Sequence, residues 1–509
     1  MKLKSSTMAV LGIILIGSLC RMMLAGTIGL GVDESYAVSV ARQLSLSYFD
    51  HPPLHFWIIW LTAQLSGTET PLMLRLPFIG MFAGTTWLMY RIGTRLFDEW
   101  SGVYAALILN ISAVFSLSTG SWILPDGPLV FFMLSATLLL IRLTFEPAAA
   151  WYLWPAAGLL IGLGMLAKYH AIFLLVGSCI FYLTTKERAH VLRTAGPYLT
   201  LTAAALVFLP VILWNQEHHW TSFLFQGGRG TVKEFAPLNL LKNLAGQTAW
   251  LLPWMALPLQ WILLKAVFSG PGHPRQSPNQ DKLWFLCCLA IGPIALFTLI
   301  ALWGGQGLFH WQAPGYLLAI PLLGRAAAGW IKQGSKLPQV WLGSSTILFL
   351  LLIALLGTHT ATGWLRHVQP DWFKQGDPTI EALNWDSLPP YLEANALPNP
   401  ETHFIVTAHW IDAGKTGYIL GRQLPVVCLN SEPHHFAFMH KTTEFTGKNA
   451  LIIGRKAIIE KALPQYRSHF SSVQFLGTTP VVRTGIPELE LVVFYATNFD
   501  GRFSLPYGQ

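Results

Sequence analysis

Two adjacent carboxylates, Asp33 and Glu34, follow the first long apolar run of the chain, within Gly31-Val-Asp-Glu-Ser-Tyr36. A carboxylate at the mouth of an apolar bundle can take a proton from a hydroxyl or bind sugar hydroxyls. Acids in a first helical turn also complement the helix dipole, for about 0.3–1 kcal/mol. The rest of the loop tips the reading toward chemistry. Asp50-His51-Pro52-Pro53-Leu54 sets an acid and an imidazole before a diproline whose fixed φ holds them in an extended turn. A turn explains the prolines; it does not explain the paired acid and base.

Further candidates are scattered along the chain. Asp126 stands in Pro-Asp-Gly-Pro-Leu, where an N-cap aspartate is the simpler account. Lys168-Tyr169-His170 joins two apolar runs, and a snorkelling lysine would serve there. Arg75 opens another run, Arg229 sits in Gly-Gly-Arg-Gly near His218, His219 and Lys233, and His310-Trp311-Gln-Ala-Pro314 precedes a later run. Arg21 falls inside an apolar run and needs a partner there. Acids suit a base or sugar recognition, cations a phosphate leaving group, and aromatics the faces of sugar rings. His218 and His219 point apart on a helix with no carboxylate at ligand spacing, so no metal is indicated. No cofactor is required, although an acid cluster could hold a divalent metal. No Walker loop, GxGxxG or HExxH stands in a supporting context.

The elements that must position these residues lie in a membrane. Of 509 residues, 53% are hydrophobic and 11% charged, against about 25% charged in soluble proteins. Mean hydropathy is +0.46. This excludes a soluble globular enzyme, a disordered chain and a coiled coil. Eleven apolar runs lie near 8–30, 72–92, 100–119, 128–145, 151–167, 169–184, 197–214, 248–268, 284–303, 311–330 and 339–358. A twelfth, 54–65, is too short to cross about 30 Å at 1.5 Å per residue and reads as interfacial or re-entrant. With eleven spans, Lys2, Lys4, Arg91, Arg95, Arg142, Lys186, Arg188, Arg193, Arg275, Lys282, Lys332 and Lys336 all fall on the cytoplasmic side. The candidate residues then face outward. The net charge of +8 belongs to those loops and does not indicate nucleic acid. Cys20, Cys179, Cys287, Cys288 and Cys428 form no CxxC, which argues against a disulfide framework.

The predicted architecture is mainly α: a transmembrane bundle over 1–358 with an outer loop over 31–71, then a small extracytoplasmic α/β domain over 359–509. Strand-like runs at 404–410, 426–429, 450–454 and 489–495 alternate there with helical patterns near 413–421 and 456–470.

In order along the chain, Asp33-Glu34, Asp50-His51-Pro-Pro-Leu, Arg75-Leu-Pro77, Asp126-Gly-Pro-Leu, Gly164-Met-Leu-Ala-Lys168-Tyr169 and His310-Trp311-Gln-Ala-Pro314 resemble the GT-C membrane glycosyltransferases. The resemblance is to the branch holding protein O-mannosyltransferases and lipid A aminoarabinose transferases. It covers roughly residues 1–330, and extends loosely through Asp377-Pro-Thr, Asn384-Trp385-Asp386, His409-Trp410 and Leu420-Gly421-Arg422. It implies transfer of a sugar, with inversion, from a polyprenyl-phosphate donor to a lipid, glycan or protein acceptor, on the outer face of the bacterial inner membrane. The N-terminus would then be cytoplasmic and the tail periplasmic, serving as a lid or acceptor selector. In the implied mechanism Asp33 is the base, and Glu34, Asp50 and Asp126 hold it and the sugar hydroxyls. His51, Lys168, Arg229 and His310 surround the phosphate, and Tyr36, Arg75, Tyr169 and Trp311 complete the substrate-binding set. One departure stands out: the aminoarabinose branch has acid-Lys-Pro-Pro where this chain has His51, an imidazole ordinarily titrating near 6.5. The competing readings are a lipid-linked sugar flippase, which predicts inverted repeats and midplane charges, and a ligase or polymerase using a diphosphate-linked donor.

Overall fold

A computed structural model describes residues 3–147, 149–228, 234–271, 279–303, 309–395, 399 and 401–507. Each of the eleven apolar runs contains a helix. Among the described residues, six helices are long and apolar enough to cross a bilayer: Ser5–Thr27, Pro71–Leu96, Asp126–Phe145, Gly196–Glu217, Gln280–Trp303 and Leu337–Thr362. Pro237–Trp250 and Pro253–Ser269 would make a seventh span, but they bend by 114° at the break. Leu153–Ala167 and Tyr169–Thr184 are shorter apolar helices, separated where Lys168 adopts an extended backbone (φ −159°, ψ 141°). Leu54–Ser66 has 13 residues, or ~20 Å, too short to span.

The chain divides into two compact units. The first comprises Met1–Met23, His51–His55 and Arg75–Leu352. Small residues let its helices approach closely, as expected where dispersion rather than hydrophobicity drives association. A Cβ on Gly158 would stand 2.2 Å from the Thr200 carbonyl oxygen, and one on Gly162 would stand 2.6 Å from the Val207 Cβ. Basic residues expected on one membrane face find acidic or carbonyl partners within the bundle. Lys4 meets Glu99 at 2.5 Å and Lys332 meets Asp98 at 2.8 Å. Arg95 and Arg142 both pair with Glu146, and Lys282 donates to the Leu96 carbonyl at 2.8 Å. Arg275 lies outside the described residues.

The partner of Arg21 is a set of dipoles. Its Nη2 donates to Ser116 Oγ at 2.6 Å and to Asn110 Oδ1 at 3.2 Å, and its guanidinium lies 4.3 Å from the Phe82 ring centroid. Val114–Thr119 is wound as a π-helix. It thereby also aims the Ser116 carbonyl at Arg21 Nε, at 3.4 Å. Such bulges arise where a side chain must be accommodated.

The second unit comprises Leu24–Asp50, Phe56–Leu74 and Ile353–Gln509. Its sheet contains β1 (His403–Thr407), β2 (Val426–Cys428), β3 (Asn449–Arg455), β4 (Phe470–Arg483) and β5 (Ile486–Phe499), ordered β2-β1-β3-β5-β4. The first three are mutually parallel; β5 runs antiparallel to β3 and β4. Phe404, Val406, Ile452, Ile459, Tyr466, Val492 and Phe494 form its core. The helical pattern expected to 470 stops at Tyr466, and β4 begins at Phe470. Strand β4 escapes sequence reading because its first half shows no regular burial, and the alternation over 478–483 buries the polar Thr479 and Arg483 beside Val481, which hides the apolar period. It turns into β5 through Thr484 and Gly485, both at positive φ (49° and 83°), the conformation of a two-residue hairpin turn.

Candidate active site

Within the second unit, the first-loop acids stand on the helix Val32–Ala41. Helix Trp410–Leu420 crosses it at close range: a Cβ on Gly414 would lie 2.9 Å from the Tyr36 Cα. Ser39 Oγ donates to the Gly414 carbonyl at 2.9 Å. The two acids then part ways. Glu34 is buried and accepts the Gly31 backbone N–H at 2.8 Å, closing the helix start. Asp33 is solvent-accessible although protein crowds around it, and no hydrogen bond or ion pair among the described residues engages its carboxylate. That crowding, reinforced by the negative charges of Asp50, Glu34 and Glu381, holds its carboxyl up at about 6; His434 pulls weakly the other way.

Asp50 is buried beside it and accepts from both the Tyr36 hydroxyl and His434 Nδ1. Facing a carboxylate, that Nδ1 must carry the proton. Burial and the Asp50 charge push the Tyr36 phenol well above its ordinary range, which keeps it a donor. The His435 N–H donates to the Tyr36 oxygen at 3.0 Å, and His435 Nδ1 accepts from Phe49 N at 3.1 Å. Tyr36 is boxed by Trp410 and Phe436, with ring centroids at 5.6 and 5.7 Å. Arg42 and Arg422 both meet Glu69, at 2.6 and 3.1 Å, and brace the far side of the loop.

The bundle unit holds a second cluster. Lys168 Nζ reaches both oxygens of Asp126, at 2.9 and 3.1 Å. His310 and His170 are close enough to act electrostatically on Asp126. His170 stacks on Phe297 at 4.7 Å, and Phe297 meets Trp311 edge-on at 5.4 Å. Tyr169 packs between Phe208 and Phe223. Arg75 is fully buried, and His51 lies edge-on to His55 at 5.8 Å. Arg229 and Lys233 lie outside the described residues. Among the described residues no three metal-ligating side chains converge.

The sequence model of the dolichyl-phosphate-mannose-protein mannosyltransferase family matches residues 50–214. A lipid A galacturonosyltransferase, RgtD of Rhizobium johnstonii, is 27% identical over 280 residues, covering 53% of this chain and 55% of that protein. The chain thus spans about half the length of that relative. The structure of ArnT from Cupriavidus metallidurans, in its apo state and bound to undecaprenyl phosphate, matches with a TM-score of 0.62 at 13–14% identity, over 96% of this chain and 98% of that one. The fold is that of the GT-C superfamily. Archaeal AglB from Archaeoglobus fulgidus, an oligosaccharyltransferase solved with an inhibitory peptide and a dolichol-phosphate, is a more distant neighbour: TM-score 0.50, 13% identity, 98% of this chain and 75% of that one.

The expected site residues are distributed over both units. Asp33, Glu34, Tyr36 and Asp50 gather in the second. Asp126, Lys168, His310 and Trp311 gather in the bundle, with Tyr169 next in sequence to Lys168. Asp126 and Lys168, expected at sugar and phosphate, are hydrogen-bonded to each other. Glu34, grouped with the catalytic acids, serves as a cap. Sequence reasoning missed His434 and His435. The signal available was Glu432-Pro-His-His, a doubled imidazole behind a turn-forming proline, where His434 takes a left-handed φ of 55°.

Proposed function

We propose that the chain is an inverting integral-membrane glycosyltransferase. It would move a sugar from a polyprenyl-phosphate carrier to an acceptor hydroxyl on the outer face of the cytoplasmic membrane. The observation that carries this reading is the contrast between two neighbouring carboxylates. Asp50 is locked by Tyr36 and His434, whereas Asp33 is open and titrates near 6. A base with that pKa is mostly ionised at neutral pH and is still appreciably basic.

In the reaction Asp33 takes the proton of the acceptor hydroxyl as its oxygen attacks the anomeric carbon. The bond from that carbon to the phosphate oxygen breaks, and the carrier leaves as its phosphate. A glycosyl phosphate is a fair leaving group, so positioning and charge stabilisation are the main tasks. His51, Arg75, Lys168 and His310 are the cations assigned to that charge, with Asp126 setting the orientation of Lys168. The outward placement is supported by the helix Asp126–Phe145: Asp126 opens it, while Arg142 near its other end belongs to the basic group, ~24 Å away along the axis.

The test is transfer of radiolabelled sugar from polyprenyl-phosphate donors into a membrane lipid extract by the purified protein and Asp33→Asn. The variant should lose about 10²–10⁴-fold in rate while still binding donor. Wild type that transfers from no monophosphate donor would defeat the reading in favour of a diphosphate donor or a flippase.

A further inference from the structure

A cavity of about 370 Å³ opens inside the second unit, apart from the Asp50 tie but next to Asp33. Val32, Glu381, Trp385, Ile411, Arg455 and Leu489 are among its walls. Two of its charged walls carry spare binding capacity. Arg455 is anchored through Nε, which donates to the buried Asp412 at 2.7 Å, and through its own backbone N–H to the same carboxylate at 3.1 Å. Its two terminal nitrogens have no partner among the described residues, so the fork that suits a carboxylate or phosphate is unoccupied by protein. Glu381 likewise has no hydrogen bond or ion pair among the described residues, yet it lies near enough to raise the Asp33 carboxyl. Lys415, whose Nζ donates to the carbonyls of Leu30 and Leu383, adds positive charge to the lining. Ile411 and Leu489, both partly exposed, give the apolar surface on which a sugar ring can lie, with the buried Trp385 behind them.

We propose that this cavity is the acceptor subsite, and that it takes a saccharide headgroup bearing an anionic substituent. The anion sits on the Arg455 fork, Glu381 accepts from ring hydroxyls, and a further hydroxyl is presented to Asp33. The inference rests on the glycosyltransferase reading, and it places acceptor choice in the C-terminal α/β domain. It explains why a guanidinium pinned at one nitrogen and open at the others borders the residue next to the candidate base. The size, at the lower end for small-molecule sites, fits a headgroup and not a long glycan.

Calorimetry on the full-length protein in detergent, with glucose 1-phosphate as probe and glucose as control, tests the cavity without needing turnover. Wild type should bind the phosphate better than glucose. Arg455→Ala should weaken glucose 1-phosphate by at least about tenfold while leaving glucose little changed. Because Arg455 also holds Asp412, Leu489→Trp provides a second variant that fills the cavity and leaves that pair intact; it should abolish binding of both. In the transfer assay, Arg455→Ala should raise KM for the acceptor lipid and leave KM for the donor unchanged. Binding untouched by either variant overturns the cavity proposal whether or not transfer occurs. Lost binding with an unchanged acceptor KM overturns the acceptor assignment and makes the occupant a soluble sugar phosphate. Intact, Arg455-dependent binding in a protein that transfers nothing leaves an anion site standing and sinks the transferase reading instead.

Discussion

The elevated carboxyl of Asp33 makes a quantitative demand on the pH profile of transfer. With a carboxyl at about 6, the ionised fraction is ~90% at pH 7, half at pH 6 and ~10% at pH 5. A base works only when ionised, so kcat/KM should fall about tenfold between pH 7 and pH 5. An aspartate at its ordinary 3.8 would stay ~90% ionised at pH 5, and the same interval would show almost no change. The causes of the elevation rank burial first, then the charges of Asp50, Glu34 and Glu381. Removing a negative neighbour must move the acid limb to lower pH, and by more for Asp50→Asn than for Glu381→Gln. The assay is kcat/KM for lipid-phosphate sugar against pH from 4.5 to 8 in mixed buffer, for wild type and both variants. Glu381→Gln is the cleaner perturbation of the carboxyl, read on the donor's kcat/KM at saturating acceptor, because Glu381 is exposed and makes no hydrogen bond or ion pair among the described residues, whereas Asp50→Asn also releases Tyr36 and His434. A limb that neither substitution moves, and that His51→Asn abolishes, would refute Asp33 as the titrating base.

Lys168→Met leaves the partly buried Asp126 carboxylate without its ammonium. It should cost less than the about 3–5 kcal/mol of a fully buried pair, read as thermal unfolding in detergent, and Asp126→Asn in the same chain should restore most of it. Gly120→Val would place a Cβ 2.8 Å from Arg21 Nε and 3.0 Å from the Phe82 ring. That overpacking should destabilise by about 1–3 kcal/mol, with less loss when Arg21→Met is added. Gly414→Val drives a side chain into the Tyr36 backbone. It should lower transfer at least as much as it lowers unfolding temperature, and normal activity in a normally folded variant would show that the helix contact is not needed for the site.

What the sequence disclosed followed from signals that are local. Apolar runs identify helices because a bilayer demands about 20 apolar residues whatever surrounds them, so each run proved helical. The length of 54–65 already excluded a span. Asp33 and Asp50 stood out because acids beside an apolar run have few bland explanations. What stayed hidden depends on partners far away. Glu34 resembles Asp33 in type and setting, and only the fold shows that one closes a helix while the other is open. Lys168 and Asp126 are 42 residues apart, and nothing in either segment alone announces that the two are paired. The run near 100–119 looks continuous in hydropathy but changes to a π-helix over Val114–Thr119, whereas the break at Lys168 was legible as the joint between 151–167 and 169–184. Backbone conformation at single residues leaves no hydropathy trace.

The tie between Asp50 and His434 joins positions 384 residues apart, and Lys415 reaches Leu30 across 385. A ribosome delivers the first of each pair long before the second. The candidate base is therefore made well before its framework, which is completed only when residues 415–434 have emerged and the α/β module has folded. During that interval the loop has its acids without the tyrosine–histidine clasp that orders them, so a nascent or truncated chain carries the spans but not the assembled centre. Chemistry on lipid-linked sugars would thus be withheld until the α/β domain has been synthesised and folded, that domain acting as the licence for the earlier-made loop.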